Sequence, residues 1–182
     1  MTDLNAVRRL YDRLPSTNDQ AWEDGRAMFR DRGMRFLCVV AMEQTAGRGR
    51  AGRSWSSPPG GGLYLSCWCR LDWPPDLAAM LTLAAGLAVR GAVTEVIGVT
   101  PHLKWPNDLL APDGSGRKLG GILTETRMEG SRVAEAVIGI GLNLFTPDGG
   151  WDTDAAARPA ALDEFAARDV IPPPPEFSLP VM

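Results

Sequence analysis

Histidine is nearly missing from this chain. His102 stands alone, without ligand-like neighbours, so there is no histidine–carboxylate set to activate a serine or cysteine nucleophile. Cysteine is sparse too. Cys38, Cys67 and Cys69 are odd in number and lie in apolar segments, which predicts reduced, buried thiols in the cytoplasm rather than a disulfide framework. The Cys67-x-Cys69 pair lacks the further ligands that a zinc site needs. The start, "MTDLNAVRRL", has no basic segment followed by an apolar run, so no signal peptide is expected. No stretch of about 18 uncharged apolar residues is present to cross a bilayer. A domain-wide basic excess is also lacking: the net charge is -3 and the isoelectric point about 5.2, which argues against nucleic acid as a partner.

What the chain does have is one concentrated basic loop. "QTAGRGRAGRSWSSPPGGG", residues 44–62, holds Arg48, Arg50 and Arg53, six glycines and no acid. Inside an acidic protein such a loop is a local field, and it suits a small anionic ligand. A solvated linker is the plain alternative, but strong strand patterns flank the loop and Trp55 sits within it.

With 182 residues, 45% of them hydrophobic, the chain is long enough for one globular domain with a real core. "RRLYDRLP" reads as a short strand or turn, and Ser16 and Thr17 as caps of a helix reaching about Phe29. "RFLCVVAME" and "LYLSCWCRL" read as strands, the second with Leu63, Leu65, Cys67 and Cys69 on one face and Tyr64, Ser66, Trp68 and Arg70 on the other. Residues 73–98 predict one core helix with Leu77, Met80, Leu81, Ala84 and Ala88 on its packed face. Four strand-like runs follow, the last three in an antiparallel meander. The order predicts an α+β fold rather than a doubly wound one. From Pro147 onward a weak helix, Ala155 to Arg168, and four prolines read as a docked or partly disordered tail.

Polar punctuation at strand ends carries the chemistry: Gln44, the arginine loop, "KWPND" at 104–108, "RKLGG" at 117–121 and "GIGLN" at 139–143. Such a set works by positioning and charge neutralisation, as in phosphoryl or nucleotidyl transfer, where the substrate brings its own nucleophile. "GIGLN" lacks the third glycine and the helix of a dinucleotide fingerprint. Gly139 and Gly141 rather permit close approach to a strand, with Asn143 presenting an amide. Asp108 is a carboxylate beside a candidate phosphate site, where a Mg²⁺ ligand is wanted.

Taken in order, "STN", "EQTAGRGRAGRSWSSPPGGGLYLS", "LKWPNDLL", "RKLGGILTE" and "VIGIGLNL" resemble the catalytic domain of biotin protein ligases, from about residue 10 to 146. The resemblance implies a mixed, largely antiparallel sheet with flanking helices, similar to class II aminoacyl-tRNA synthetases. It makes residues 1–146 the catalytic domain and 147–182 a C-terminal tail. It implies an ATP-dependent biotin–[acetyl-CoA carboxylase] ligase that makes biotinyl-5'-AMP with MgATP. Biotin then passes to a lysine of the biotin carboxyl carrier protein. No membrane or nucleic-acid partner is implied, and a homodimer is allowed. A module that only binds biotin or its adenylate, and a lipoate or octanoyl ligase relative, are the alternatives.

By resemblance, Ser16, Thr17, Asn18, Gln44, Gly47 and Gly120 belong to the biotin site. Arg48, Arg50 and Lys118 are expected to bind biotin and to act on its carboxylate and the α-phosphate. Trp55, Asn107 and Asn143, with Arg50, are expected at the nucleotide, and Asp108 at Mg²⁺. The loop is expected to order when ligand binds. Family members begin in some cases with a winged helix that represses transcription. They usually continue with helices and an SH3-like domain that help engage the carrier. Neither pattern is present in these residues, so repression is not expected, and transfer is expected to be slower than in a full-length relative.

Overall fold

The computed structural model describes residues 7–151 and 158–171. Seven strands form one sheet in the order β1-β2-β3-β7-β6-β5-β4. They are β1 (Val7–Leu14), β2 (Phe36–Gln44), β3 (Gly62–Trp73), β4 (His102–Lys104), β5 (Asp108–Leu110), β6 (Lys118–Glu129) and β7 (Arg132–Asn143). Only β1 and β2 run parallel, joined by α1 (Thr17–Arg32); the other pairs are antiparallel. The α+β expectation and the β5-β6-β7 meander are both met.

Helix α1 stops at Gly33, whose left-handed conformation (φ 65°) lets its N–H close on Phe29 O. It therefore runs past Phe29. Ser16 stands at its N-cap but makes no side-chain cap bond, because the buried hydroxyl faces a cavity instead. Ala21, Trp22 and Met28 pack on Leu37, Val39 and Ala41 of β2, Trp68 of β3 and Val137 of β7. The face of β3 that α1 covers is thus Tyr64, Ser66 and Trp68. Asp24, buried on α1, accepts bonds from Arg9 (2.6 Å) and Tyr11 (2.7 Å) and ties the edge strand to the helix. Burial, and then the Asp24 carboxylate, push the Tyr11 phenol up.

The opposite face of the sheet holds a second cluster: Val93, Ile97, Val99, Leu119, Leu142, Ala160, Leu162 and Ile171. Here two expectations change. The long helix is broken at Met80 into α2 (Pro75–Ala79) and α3 (Leu81–Ile97). Its buried stripe is Gly86, Val93 and Ile97, while Leu77 and Met80 are 49% and 55% exposed and Ala84 and Ala88 are also exposed. The segment is apolar almost all round, so periodicity had no polar side from which to fix the packed face. By length and hydropathy Pro75–Ile97 could cross a membrane, but it is interrupted at Met80 and carries Arg90, whose Nε donates to Pro101 O.

The tail is also different. Residues 162–164 and 168–170 are 3₁₀ turns, not an α-helix, while 155–157 and the four prolines lie outside the described residues. Pro159 bridges to Lys118, and Ala160, Ala161, Leu162 and Ile171 are buried at 0–2% exposure. Residues 158–171 thus dock into the core beside β6.

Candidate functional site

A cavity of about 480 Å³ opens on the α1 side of the sheet, within the usual range for small-ligand sites. It is bounded by the start of α1, the basic loop, the β4–β5 turn and the glycine-bearing middles of β6 and β7. Of the residues expected from sequence, Ser16, Thr17, Asn18, Gln44, Arg48, Arg50, Trp55, Asn107, Lys118 and Asn143 line it. Gly47, Asp108 and Gly120 do not line it.

One end of the cavity is neutral and hydrogen-bonded. Gln44 Oε1 accepts from the Thr17 N–H (2.8 Å) and hydroxyl (3.0 Å), while Gln44 Nε2 donates to Ser57 Oγ (2.8 Å). Gln44 gets there because β2 delivers it at the strand's last residue. Ser66, fully buried, lies 2.8 Å from Thr17 Oγ1 and 2.6 Å from Asn18 Oδ1, so one hydroxyl proton serves two acceptors. Asn18 Nδ2 donates to Glu125 (2.8 Å). A Cβ at Gly139 would stand 2.3 Å from Asn18 Oδ1, which explains glycine there.

The other end is cationic. Arg48 donates to Asp19 (2.5 Å) and to Glu125 (3.1 and 3.3 Å), and the Asp19 bond is the main cause that raises its pKa. Arg50 donates to Asn107 Oδ1 (3.2 Å), and Asn107 Nδ2 holds Ile122 O (3.0 Å), so the WPND turn supports the loop. Lys118 Nζ lies 2.6 Å from Asp108 Oδ1 and 5.4 Å from the centre of the Trp55 ring. The loop itself is folded. Ala51 (φ 57°) and Gly52 (φ 73°) turn it left-handed, Gly49 donates to Arg53 O (2.7 Å), and Trp55 donates to Gly47 O (2.8 Å). Carboxylates partner Arg48, an amide partners Arg50, and Arg53 Nε donates to Arg50 O.

Trp55 lies flat against β7: a Cβ at Gly141 would come within 2.6 Å of its ring. Its indole Nε1 is buried and has no hydrogen-bond partner among the described residues. Trp68 Nε1, in the core, is unpaired in the same way. Asn143 is committed differently, its amide donating to Ala160 O (2.9 Å) and pinning the tail segment. Sequence reasoning missed Asp19, Ser57, Ser66 and Glu125. Ser66 had a signal, a lone hydroxyl between Tyr64 and Trp68 on one strand face. Glu125 and Asp19 had none, since a single acid on a strand or in a first helical turn is ordinary.

Residues 10–143 match the biotin/lipoate A/B protein ligase family. A bifunctional ligase/repressor BirA of Bacillus subtilis is 40% identical over 134 residues, covering 74% of this chain and 39% of the relative. A biotin–[acetyl-CoA-carboxylase] ligase of Mycobacterium tuberculosis is 42% identical over 127 residues, 66% of this chain and 44% of the relative. The chain thus spans about two fifths of the length of these curated relatives. Among solved structures, the biotin protein ligase of Leishmania major in complex with biotin superposes with a TM-score of 0.71 at 30% identity, covering 94% of this chain and 68% of that one. That of Aquifex aeolicus with biotin and ATP gives 0.64 at 26%, covering 91% and 65%. The match over most of the chain and the shared sheet carry one conclusion: this chain belongs to the biotin/lipoate A/B protein ligase family.

Proposed function

We propose that this chain activates biotin with ATP and passes it to a lysine of a biotin carboxyl carrier protein of acetyl-CoA carboxylase. The observation that carries this is the two-ended cavity. Thr17, Asn18 and Gln44 offer amides and a hydroxyl at one end, matching a neutral urea. Arg48, Arg50 and Lys118 bring three cations to the other, matching a carboxylate meeting a phosphate. Relatives of this sequence are named as biotin ligases, and the Leishmania and Aquifex structures carry biotin and, in the second, ATP.

In the first step a biotin carboxylate oxygen attacks the α-phosphorus, a P–O bond forms, and pyrophosphate leaves. Arg48, Arg50 and Lys118 hold the anions together and neutralise charge that grows on the α-phosphate oxygens. Trp55 supplies an apolar wall for the base. In the second step the carrier lysine amine attacks the acyl carbon, and AMP leaves with the bonding pair. Mg²⁺ would shield the phosphates, but Asp108, the carboxylate expected to hold it, does not line the cavity and is paired with Lys118 at 2.6 Å, so it does not fit that role here. Three free cysteines suit a reducing, cytoplasmic setting.

The test is incubation with biotin and MgATP, quenching, and mass detection of biotinyl-AMP and pyrophosphate, then transfer to purified carrier domain. Lipoate in place of biotin checks the neighbouring specificity. Adenylate from lipoate but not from biotin would overturn the assignment, as would binding of biotin without any adenylate.

A further inference from the structure

Away from the cavity, the structure places two thiols together. Cys38 of β2 and Cys67 of β3 are directly opposed in the antiparallel ladder, with their sulfurs 3.1 Å apart. Both were expected to be buried, yet all three cysteines are free and only half-buried. Side chains alternate along β3, so Cys67 lies on the face opposite Ser66, which reaches Thr17 and Asn18 in the cavity. The thiol pair is therefore on the far side of the sheet from the site.

We propose that Cys38 and Cys67 are a redox modification site, forming a reversible cross-strand disulfide when a hydroperoxide oxidises them. Opposed residues of an antiparallel pair have Cα atoms about 4.5 or 5.5 Å apart. Both spacings fall in the range of about 4.4–6.8 Å that a disulfide accepts, so the backbone need not move. Cys69 competes less well. It is two residues along the same strand from Cys67, about 6.6–6.8 Å away, at the far limit of that range. Its sulfur also points to Ala136 O at 3.7 Å.

The two sulfurs divide the chemistry. The bond from Cys67 holds the Cys38 thiol below its ordinary value, with Arg8 beside it on β1 acting the same way. The Cys67 thiol is pushed up by Cys38 and by burial, and burial pushes Cys69 up to about 11. Cys38 is then the better nucleophile at neutral pH. Its thiolate attacks one peroxide oxygen, giving a sulfenic acid and releasing water or an alcohol. The Cys67 sulfur attacks that sulfur, expels the hydroxyl as water, and loses its proton. Two thiols and one hydroperoxide thus give one disulfide, one water and one further water or alcohol, with the two electrons taken up by the O–O bond.

The bond would clamp β2 to β3 below the loop that runs from Gln44 to Gly62, without entering the cavity. Its formation does not depend on the ligase assignment. The full chain, reduced and then titrated with hydrogen peroxide, is alkylated with iodoacetamide and digested for mass analysis. The expected product is a Cys38–Cys67 linked peptide two hydrogens lighter, reversed by dithiothreitol, with Cys69 alkylated. Cys67→Ser should leave Cys38 as a sulfenic acid trapped by dimedone, and Cys69→Ser should behave as the parent. Alkylation of the reduced chain should be fastest at Cys38. A Cys67–Cys69 link, only intermolecular links, or Cys38 passing to sulfinic acid while Cys67 stays alkylatable would each overturn the proposal.

Discussion

Replacing Gly25 by alanine should destabilise the fold, although the same change in an open helix stabilises it. Gly25 lies inside α1 and is buried against the sheet. An added Cβ would stand 2.2, 2.4 and 2.7 Å from Cδ2, Cγ and Cε3 of Trp68. That indole is fully buried, with Phe29 tilted beside it at 6.5 Å between ring centres. Reaching ordinary carbon–carbon contact of about 3.5–4.0 Å means moving α1 or Trp68 by more than about 1 Å. Helix propensity favours alanine by about 0.8–1.0 kcal/mol. Overpacking a tight core costs about 1–3 kcal/mol, and a rigid indole backed by a sheet belongs at or beyond the top of that range. The net loss is about 2 kcal/mol, or about 4–8 °C in Tm for a chain of this size. Gly91 is the control: it is exposed on α3, and a Cβ there meets nothing within 4 Å. Gly91→Ala should therefore raise Tm by about 2–4 °C. Calorimetry of both variants reads the two signs. A Gly25→Ala chain as stable as the parent would refute the close seating of α1 on Trp68.

At the site, Gly141→Ala should push the Trp55 ring off β7 and weaken nucleotide binding by about tenfold or more, while Tm falls by only a few degrees; isothermal titration with ATP checks it. Lys118→Ala should slow pyrophosphate release by about 10²–10³-fold with a smaller loss of biotin affinity, since in the proposed mechanism this cavity-lining cation neutralises charge growing on the α-phosphate. Asp19→Asn should leave stability within about 1 kcal/mol, because the Arg48–Asp19 pair is partly exposed, and should tighten pyrophosphate binding by up to about fivefold by freeing Arg48. An unchanged or weaker affinity would mean that Asp19 holds Arg48 in place rather than competing for it.

How much of this was legible from the residues varies with the physics involved. Most strands were plain, because β-branched and apolar runs between turn residues admit few other structures, and the turn residues of "PDGSG" (112–116) and "EGS" (129–131) lie where β5, β6 and β7 are joined. The loop's charge and its place beside a cavity were also plain, since charge of one sign in a glycine setting shows without any coordinates. The break at Met80 was not, because Leu77–Val89 is apolar apart from Thr82, with no polar side, and no local signal marks a helix that pauses for one residue. Nor was the conformation of residues 158–171, whose docking was one of two readings. "RPAALDEFAAR" has helical propensity, yet Ala160 is held by Lys118 and Asn143, contacts with strands far away in sequence. Propensity loses where long-range bonds fix the backbone.

The cations of the cavity show why a basic loop can sit inside an acidic protein without standing as bare charge. Three of them are partnered by other elements, Arg48 by α1 and β6, Lys118 by β5, and Arg50 by the turn between β4 and β5, while Arg53 donates to Arg50 O within the loop. The loop is thereby tied to the sheet and to α1. These pairs are partly exposed, so water and salt weaken each of them, and an entering phosphate can replace a carboxylate at modest cost. Glu125 differs from the rest, because it holds Arg48 and Asn18 at once. It joins the cationic end to the neutral one, so a change in how Arg48 engages an anion is felt at the side chain that faces Ser66 and the start of α1.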